Sequence, residues 1–523
     1  MAAPADHALD PGAPNKWLIA LALMLGTFME VLDTSVANVA LPHMKGTYSA
    51  STDEITWVLT SYLVANAIIL PITGWLGNTF GQKRLYLTCL ALFTMASLAA
   101  GAAPTLPFLI LARVIQGLAG GAMVPMSQAM TMDAFPRSEQ GIATAVFGIG
   151  VICGPIVGPL VGGWITDNWS WPWIFWINIP VGILAWVLAS TFVEPRNDRH
   201  PAGRMDYWSL LFIAVGLGFL EVFLNRGERL DWFQSNAVKA FAGLAALGLV
   251  LFLWRSLTAK QPLVDLRMFK LPEYASGMFL IFGASFGMYA AFVLLPLFAQ
   301  TMLGFTPTWA GVMLSPGGIA SVVAMMAAGL LLGRIDVRWI VAAGFIAQIY
   351  SSWLLTAISL DSGMGYLTVA WCFRGLGLGF VFVPVATAAM RRIAPESYGV
   401  ASGIFNLMRN EGGSVGIACA TTLLQTRSQF HQARLTEHIT AFNGLLQQGV
   451  VRLDHLLFAT AGQDPASVRR LAMGLVGAEV SRQAYLMAFV DVFFMVVIVY
   501  VICLPFVILL KDPGADAKGM AVH

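Results

Sequence analysis

The sequence predicts an all-α protein that crosses a membrane fourteen times, with two bundles of six helices and two helices inserted between them. Three observations lead to this fold class: the composition, the apolar segments and an internal repeat. Of the 523 residues, 58% are hydrophobic and 11% are charged, whereas a soluble domain carries about 25% charged residues. The mean hydropathy is +0.73. A soluble protein of this size could not bury so much apolar surface, so a polytopic membrane protein is predicted.

Fourteen apolar segments have the length of about 20 residues that a helix needs to cross a bilayer. The first contains two acids and is too long for the apolar core of a signal peptide, so we expect it to be retained. We place the segments near residues 17–41, 55–76, 85–103, 107–126, 142–166, 174–193, 206–224, 237–256, 274–302, 309–331, 339–359, 366–390, 399–424 and 485–510.

Lysines and arginines are concentrated in alternate loops, and this bias gives the predicted orientation. The loops on one side include Lys16, Lys83, Arg84, Arg391 and Arg392, whereas the short loops on the other side hold Lys45, Arg226, Arg229 and Lys239. Short loops rich in positive charge remain in the cytoplasm. We therefore predict that both termini are cytoplasmic.

Several functional classes are disfavoured by the composition and by missing motifs. The net charge of +2 provides no basic field for nucleic acid. No Gly-Lys pair occurs, so the chain lacks a phosphate-binding loop for ATP, and no CxxC pair indicates a zinc site. We expect a protein that is not an enzyme and has no metal or organic cofactor. Uphill movement of a solute would then need another energy source, such as a proton gradient.

A repeat divides the chain into two halves. The pattern Gly-x-Ala-x-x-x-Phe begins at Gly141 and again at Gly399, Thr-Trp begins at Thr56 and at Thr308, and glycine-rich fourth and twelfth spans both end in proline. Glycine-rich helices can resemble each other by chance, but three matches in the same order indicate a duplication. The predicted units are a cytoplasmic tail at 1–16, a six-helix bundle at 17–193, the inserted helices with their loops at 194–273, a second six-helix bundle at 274–510 and a cytoplasmic tail at 511–523.

Two acids in the first span are the strongest functional candidates. Glu30 and Asp33 are three residues apart and share one helix face, and an ionisable group at mid-bilayer costs about 2.5–3.5 kcal/mol. Arg113 of the fourth span lies at a similar height, so we predict that it contacts Asp33. Two neighbouring carboxylates titrate as a coupled pair, which suits a proton carrier. The alternatives are a static clamp at Asp33 and a site for a cationic substrate at Glu30.

Polar and aromatic residues in the second half are candidates for the wall of a substrate cavity. The thirteenth span carries Asn406, Arg409 and Glu411 near its midpoint. Aromatic side chains suit an adaptable pocket for bulky apolar compounds. The alternative is that the polar residues only orient helices and the aromatic residues belong to the core. The aromatic candidates are Phe286, Tyr289, Phe292 and Trp371, and the acids that we instead expect to reach the headgroups are Asp206, Glu221 and Asp491.

Six short segments in order carry a family resemblance: 32–42, 113–117, 154–164, 173–182, 230–233 and 262–267. They resemble the major facilitator superfamily in its fourteen-span drug:proton antiporter branch, and within it the EmrB-type multidrug exporters. The resemblance implies two six-helix bundles around a central cavity that work by alternating access. It also places Asn38 and Gln116, which lie in two of these segments, among the candidates for the cavity wall.

Two motifs are candidates for conformational switching. The loop after the second span departs from the superfamily pattern at Asn78 and Thr79, where an acid and a base usually stand. A tight turn with positive anchors explains this loop equally well. In the fifth span, prolines bend the helix and glycines allow close approach, so we expect a tight interface that also prevents leakage between the halves. The residues concerned are Gly74, Gly81, Lys83 and Arg84 in the loop, and Gly154, Pro155, Gly158, Pro159, Gly162 and Gly163 in the span.

The outer segment 425–484 is long for a connection within a helical bundle. Asp464-Pro465 is a suitable helix start, and apolar residues recur on one face both after it and at 453–457. We predict a helical hairpin or short helices outside the membrane. By resemblance, this segment would dock a periplasmic membrane-fusion adaptor and, through it, an outer-membrane channel. A cap over the protein's own outer mouth and an irregular insertion are the alternatives.

Together these features predict a proton-coupled multidrug exporter in a bacterial inner membrane. Its substrates would be amphipathic drug-like small molecules, exchanged for protons by alternating access. One alternative is a dedicated exporter of a single metabolite, such as a siderophore, an antibiotic or a fatty acid. Another is a structural or sensor subunit of the membrane that transports nothing, although the buried acids argue against it.

Overall fold

A computed structural model describes residues 15–136, 139–194, 205–259, 262–394, 397–437, 439, 444, 446–452 and 465–510. Within these ranges the regular structure is helical, apart from one isolated bridge between Leu332 and Ile335. The predicted all-α class is therefore confirmed. Both predicted cytoplasmic tails lie almost entirely outside the described residues.

Fourteen long helices, α1 to α14, make up the described part of the chain, and each coincides with one predicted span. In chain order they are Lys16–Thr47, Asp53–Phe80, Gln82–Gly101, Leu106–Ala134, Gln140–Asn168, Trp173–Phe192, Tyr207–Arg226, Asn236–Thr258, Pro272–Thr301, Pro307–Leu331, Val337–Thr356, Met364–Met390, Tyr398–Glu437 and Pro465–Cys503.

Thirteen of these helices are long and apolar enough to cross a membrane. The exception is α13, which carries Asn406, Arg409, Asn410 and Glu411 within its membrane half. These polar side chains lower its hydropathy, but the helix packs against α9 and α14 inside the second bundle. The chain is thus a multi-pass membrane protein.

The packing repeats between the two halves, as the sequence repeat predicts. In the first half α1 packs on α5 and α2 packs on α4; in the second half α9 packs on α13 and α10 packs on α12. The inserted helices α7 and α8 pack on each other, and α7 also lies against α2. The structure therefore has two equivalent bundles with a helix pair added at the side.

The halves are in close contact at the predicted cytoplasmic end. A Cβ atom placed on Gly74 of α2 would lie 2.4 Å from the backbone nitrogen of Val400 in α13, and one on Gly141 of α5 would lie 3.0 Å from the carbonyl oxygen of Gly329 in α10. Glycine is needed at both positions because the facing atoms belong to backbone. The interface between the two halves, which we call the seam, is therefore closed at this end.

The loop after α2 is a tight turn, as one of the two interpretations expects. Gly81 has φ of +88° and links α2 directly to α3, a conformation that L side chains rarely adopt. The Nζ atom of Lys83 donates to the carbonyl oxygen of Ser190 at 2.7 Å, while Arg84 is exposed. Lys83 therefore fastens the start of α3 to the end of α6.

The tight interface expected at the fifth-span glycines is present, but its partner is a helix of the same half and not the second half. Cβ atoms on Gly154, Gly158 and Gly162 would meet Val31, Ser35 and Val36 of α1, which belongs to the same half. A Cβ atom on Gly163 would meet nothing within 4 Å. These glycines follow one face of α5 and let α1 approach it. Contact with the second half is made by other positions, such as Gly141 and Gly148.

The two prolines of α5 have different surroundings. Pro155 points toward the second half, where it lines the apolar cavity described below. Pro159 is exposed on the surface of the helix. Only the first of the two therefore contributes to the space between the halves.

The described part of the outer segment is helical, as predicted: two membrane helices extend into it and pair as a hairpin would, and residues 446–452 are also helical. The helix α13 continues to Glu437, and α14 begins at Pro465 and runs without interruption to Cys503. Asp491 of α14 lies 2.5 Å from Arg427 and 2.7 Å from His431 of α13, so it links the two helices; its contact with headgroups stays a prediction. The predicted helix start at Asp464 and the apolar face at 453–457 lie outside the described residues.

We predict that Gly74→Ala loosens the closed cytoplasmic seam, because its methyl group would collide with the backbone of α13. In a cysteine-free background, a cysteine introduced at Ser402 should react with a maleimide several-fold faster in this variant. The matched control is Gly77→Ala, whose methyl group would meet Gln82 at an ordinary 3.5 Å. Equal labelling of the two variants would contradict the role of Gly74.

Candidate functional site

Asp33 is the centre of a buried polar cluster in the first half. The predicted contact is confirmed: Arg113 Nη1 donates to Asp33 Oδ2, and neither side chain is exposed. Gln116 Nε2 and Asn178 Nδ2 donate to Asp33 Oδ1 at 3.3 and 2.8 Å. Removing one member of a buried ion pair costs about 3–5 kcal/mol. The cluster thus ties α1 to α4 and α6.

Glycines of α4 allow α2 to complete this cluster. Cβ atoms on Gly117 and Gly120 would lie 2.4 Å from the carbonyl oxygen of Tyr62 and 3.0 Å from its hydroxyl. The close approach puts the Tyr62 ring 4.2 Å from the guanidinium carbon of Arg113, a cation–π contact. Arg113 Nε also donates to the carbonyl oxygen of Val58 at 3.1 Å.

Glu30 lies one turn from Asp33 and has different partners. Its Oε1 accepts hydrogen bonds from Tyr62 Oη at 2.8 Å and from Asn66 Nδ2 at 3.1 Å, and 7% of the residue is exposed. Both donors are neutral. Arg409 of the second half interacts electrostatically with Glu30, so Glu30 lies at the seam between the halves while Asp33 is held within one half.

Hydrogen bonds between polar side chains join the two halves next to Glu30 and closer to the predicted cytoplasmic end. Asn410 Nδ2 donates to Asn66 Oδ1 at 3.2 Å. Nearer the predicted cytoplasmic end, Asn406 Nδ2 donates to Gln128 Oε1 at 2.8 Å, and Ser402 Oγ lies at the same distance from that oxygen. A continuous chain of hydrogen bonds therefore runs from Glu30 through Asn66 into α13.

One polar face of α1 becomes more exposed toward the predicted outer end of the helix. Glu30, Thr34 and Asn38 follow one helix face at intervals of four residues. Glu30 is buried, Thr34 is half-buried and Asn38 is exposed. This polar face therefore leads from the buried Glu30 to the surface of the protein at the predicted outer end.

A small, mostly apolar cavity of about 30 Å³ lies at the seam, between α5 of the first half and α9, α10 and α12 of the second. Three of the four aromatic candidates, Tyr289, Phe292 and Trp371, line it. Phe286 is not part of its lining; its backbone packs on Gly416 of α13, where a Cβ atom would lie 2.3 Å from its carbonyl oxygen. As it stands, the cavity has room for about one water molecule, so a bulky apolar group would enter only if it widened.

Arg374 of α12 is the counterpart of Arg113 in the second half, but it has neutral partners. Its Nη atoms donate to the Gly287 carbonyl at 3.0 Å, to Tyr500 Oη at 3.1 Å and to Ser352 Oγ at 2.8 Å. No carboxylate pairs with it among the described residues. Each half thus has a buried arginine at the corresponding position, but only Arg113 is paired with a carboxylate.

Two further candidates on α13 have no complete set of partners. Arg409 donates to Asn410 Oδ1 at 3.3 Å, while its Nε and Nη1 atoms are buried without a hydrogen-bond partner in the described part of the chain. Both carboxylate oxygens of Glu411 are also buried without such a partner there. Glu221 does not reach the headgroups as expected, since it is 2% exposed and faces α13.

Sequence reasoning missed Tyr62, Asn66, Gln128 and Asn178, which complete these networks. Each is a polar or amphipathic residue inside an apolar span, and this position was the one sign in the sequence of a buried polar partner. Their partners lie on other helices, so their roles depend on helix rotation, which hydropathy does not report.

The fold and the buried polar seam define a multi-pass membrane transporter of small molecules. Residues 23–417 match the family model of the Major Facilitator Superfamily, and the chain belongs to this superfamily.

Curated relatives match along almost the whole chain. It is 33% identical to the multidrug export protein EmrB of Escherichia coli (strain K12), over 97% of the chain and 98% of that protein. It is also 33% identical to the fatty acid resistance protein FarB of Neisseria gonorrhoeae, over 98% of the chain and 99% of that protein. The human organic anion transporter MFSD10 has the same fold, with a TM-score of 0.59 at 13% identity, covering 93% of this chain and 100% of that one.

We predict that Arg113→Gln lowers thermal stability more than the double variant Asp33→Asn/Arg113→Gln. The single change leaves the buried carboxylate of Asp33 without its cation, and the second change removes that charge. Melting temperatures of the purified variants in detergent provide the measurement. Arg374→Gln is the matched control, since it leaves no carboxylate behind and should be milder than Arg113→Gln. A double variant as unstable as the sum of its single changes would contradict the pairing.

Proposed function

We propose that the protein is a proton-coupled secondary active multidrug exporter that exchanges amphipathic compounds for protons by alternating access. The observation that carries this proposal is the position of Glu30. Its carboxylate is buried at the seam, accepts hydrogen bonds from neutral groups and lies near a cation of the other half. A proton or a cationic group of a substrate could therefore occupy it in turn.

In this proposal Asp33 and Arg113 hold the geometry, and Glu30 exchanges the proton. The Asp33 carboxylate is already compensated by Arg113, Gln116 and Asn178, so a change in its charge would break the cluster. Glu30 can change its charge at lower cost, because Tyr62 and Asn66 are neutral. Loss of its proton would alter the link through Asn66 to Asn410 and so couple protonation to the seam.

In another conformation, in which the two halves move apart at the apolar cavity, it would widen and receive the bulky part of the substrate. Tyr289 joins the two regions, because it lines the cavity and its ring packs closely on Gly413 of α13. A flexible aromatic and methionine-containing wall accepts varied shapes. The relatives named for multidrug export support a broad range of substrates. The energy source would be the proton gradient, without a metal or organic cofactor.

A dedicated exporter of compounds that carry a carboxylate, such as fatty acids, is the second candidate. Arg409 supports it, since two of its buried nitrogen atoms have no hydrogen-bond partner in the described residues. A guanidinium group binds a carboxylate well. The relative named for fatty acid resistance supports the same class.

The proposed location is a bacterial inner membrane with both termini in the cytoplasm, as the charge bias of the loops predicts. The paired extensions of α13 and α14 would project from the outer face and dock a periplasmic membrane-fusion adaptor that leads to an outer-membrane channel. Gln432 and Ser481 join the two extensions at 3.2 Å. Their pairing gives an adaptor a rigid surface on which to dock.

We predict that Glu30→Gln abolishes proton-driven uptake of a lipophilic cation into inside-out vesicles, because the exchanging carboxylate is lost. Asp33→Asn should also impair transport, through loss of the cluster geometry. Arg409→Gln is the matched change on the other side of the seam, and the same panel includes a fatty acid. Greater loss of fatty acid than of cation in Arg409→Gln would favour the second candidate. Cation transport by Glu30→Gln at the wild-type rate would contradict the proton role.

We predict that replacing residues 430–480 with a Gly/Ser linker preserves transport in isolated vesicles but removes drug resistance in cells and capture of the adaptor. The reason is that docking surfaces would be lost while the membrane bundles remain. Impaired vesicle transport with intact adaptor capture would instead indicate that the extensions cap the outer mouth. Normal results in both assays would exclude either role.

A further inference from the structure

The inserted helix α7 is attached to both halves of the transporter. On one side its Gly218 faces α2, where a Cβ atom would lie 3.5 Å from Ile68 and 3.6 Å from Val64. On the other side it contacts α13. The loop that follows α7 also binds α13, since Trp232 Nε1 donates to Thr422 Oγ1 at 3.1 Å. The inserted pair therefore spans the seam near its outer end.

A buried carboxylate lies at the contact between α7 and α13. Glu221 of α7 is 2% exposed. Ser414 Oγ of α13 lies 3.0 Å from its Oε1 and 3.3 Å from its Oε2, and Asn225 Nδ2 donates to Oε2 at 2.9 Å. The side chain thus faces the second half and not the lipid headgroups.

A second buried carboxylate lies on the same face of α13. Glu411 precedes Ser414 by three residues, so the two side chains are neighbours on the helix surface. Glu411 is 5% exposed, and neither of its oxygens has a hydrogen-bond partner in the described part of the chain. It interacts electrostatically with Glu221. The two acids therefore form a pair across the contact between α7 and α13.

The surroundings of this pair contain polar but no cationic partners among the described residues. Asn225 and Ser414 are neutral, α2 presents Ile68 and Val64 near Gly218, and α9 presents Phe282 and Tyr289 to the neighbouring glycines of α13. Arg409 interacts with Glu30 instead. Two ionised carboxylates without a cation are unfavourable in a buried site, so the pair needs a positive ligand.

We propose that Glu221 and Glu411 form a second proton-binding site, in which Glu411 carries the proton and donates it to the carboxylate of Glu221. Glu221 accepts hydrogen bonds from Asn225 and Ser414, and these stabilise its charged form, whereas Glu411 has no donor. The bound proton holds α7 against α13. Its release would place two negative charges together and loosen that contact. The role in export rests on the proposed function, but occupancy of the site by a proton does not.

Infrared spectroscopy of the protein reconstituted in lipid tests this site without a transport assay. The carbonyl band of a protonated carboxylic acid is compared at neutral pH for the wild type, Glu411→Gln, Glu221→Gln and Glu273→Gln. Glu273 is the matched control, because it is also a buried glutamate but pairs with Arg392 at 3.2 Å. Spectra are recorded on samples shown to be monodisperse and helical. Each variant spectrum is subtracted from that of the wild type, so that any band from Glu30, which all the samples contain, cancels.

The expected result is a band that disappears in Glu411→Gln, shifts or disappears in Glu221→Gln and stays unchanged in Glu273→Gln. A band that survives in Glu411→Gln, or is absent from the wild type, would overturn the proton site. An unshifted band in Glu221→Gln would overturn the pairing. Failure of proton-driven export in the vesicle assay would leave these spectra unchanged, so the two proposals fail separately.

Discussion

The need to compensate a buried charge inside the bilayer governs this structure. The carboxyl group of Asp33 in the first helix is tolerated because Arg113, Gln116 and Asn178 surround it. This arrangement fixes the rotation of α1 relative to α4 and α6, and glycines of α4 then admit α2, so that the ring of Tyr62 packs on Arg113. The same rotation directs Glu30 toward the second half. A structural ion pair thus positions the residue that we propose to exchange protons.

The two halves share a framework and differ in electrostatics. Each has a buried arginine on the corresponding helix, but Arg374 is held by a carbonyl and two hydroxyl groups where Arg113 is held by a carboxylate. In the second half, Glu411 of α13 lies at the contact with the inserted helix and not beside Arg374. The first half is therefore locked by its own ion pair, while the polar groups of α13 remain available for contacts across the seam. This asymmetry suits a transporter in which one bundle moves relative to the other.

Much of the fold and part of the site follow from the sequence, because hydropathy and loop charge report directly on membrane spans. The fourteen helices and the contact between Asp33 and Arg113 were predictable, since an isolated acid in a span needs a cation at a similar height. The partners of the other polar residues and glycines depend on how each helix is rotated about its axis, which hydropathy does not report. Glu221 lies near a helix end but turns inward, and Gly154 serves α1 rather than the other half. Helices were predicted in the outer segment, but not the unbroken continuation of α13 into it, because hydropathy marks only the part of a helix that lies in the membrane.

Proton counting on binding tests the central claim most directly. Calorimetric titration of a lipophilic cation into the purified protein, repeated in buffers of different ionisation enthalpy, reports the protons released for each substrate bound. The wild type should release protons, because the substrate and the proton compete for Glu30. Glu30→Gln should bind the same cation with no proton release from this position. Equal release by the wild type and Glu30→Gln would contradict the account, and it would place the exchanging proton elsewhere in the protein.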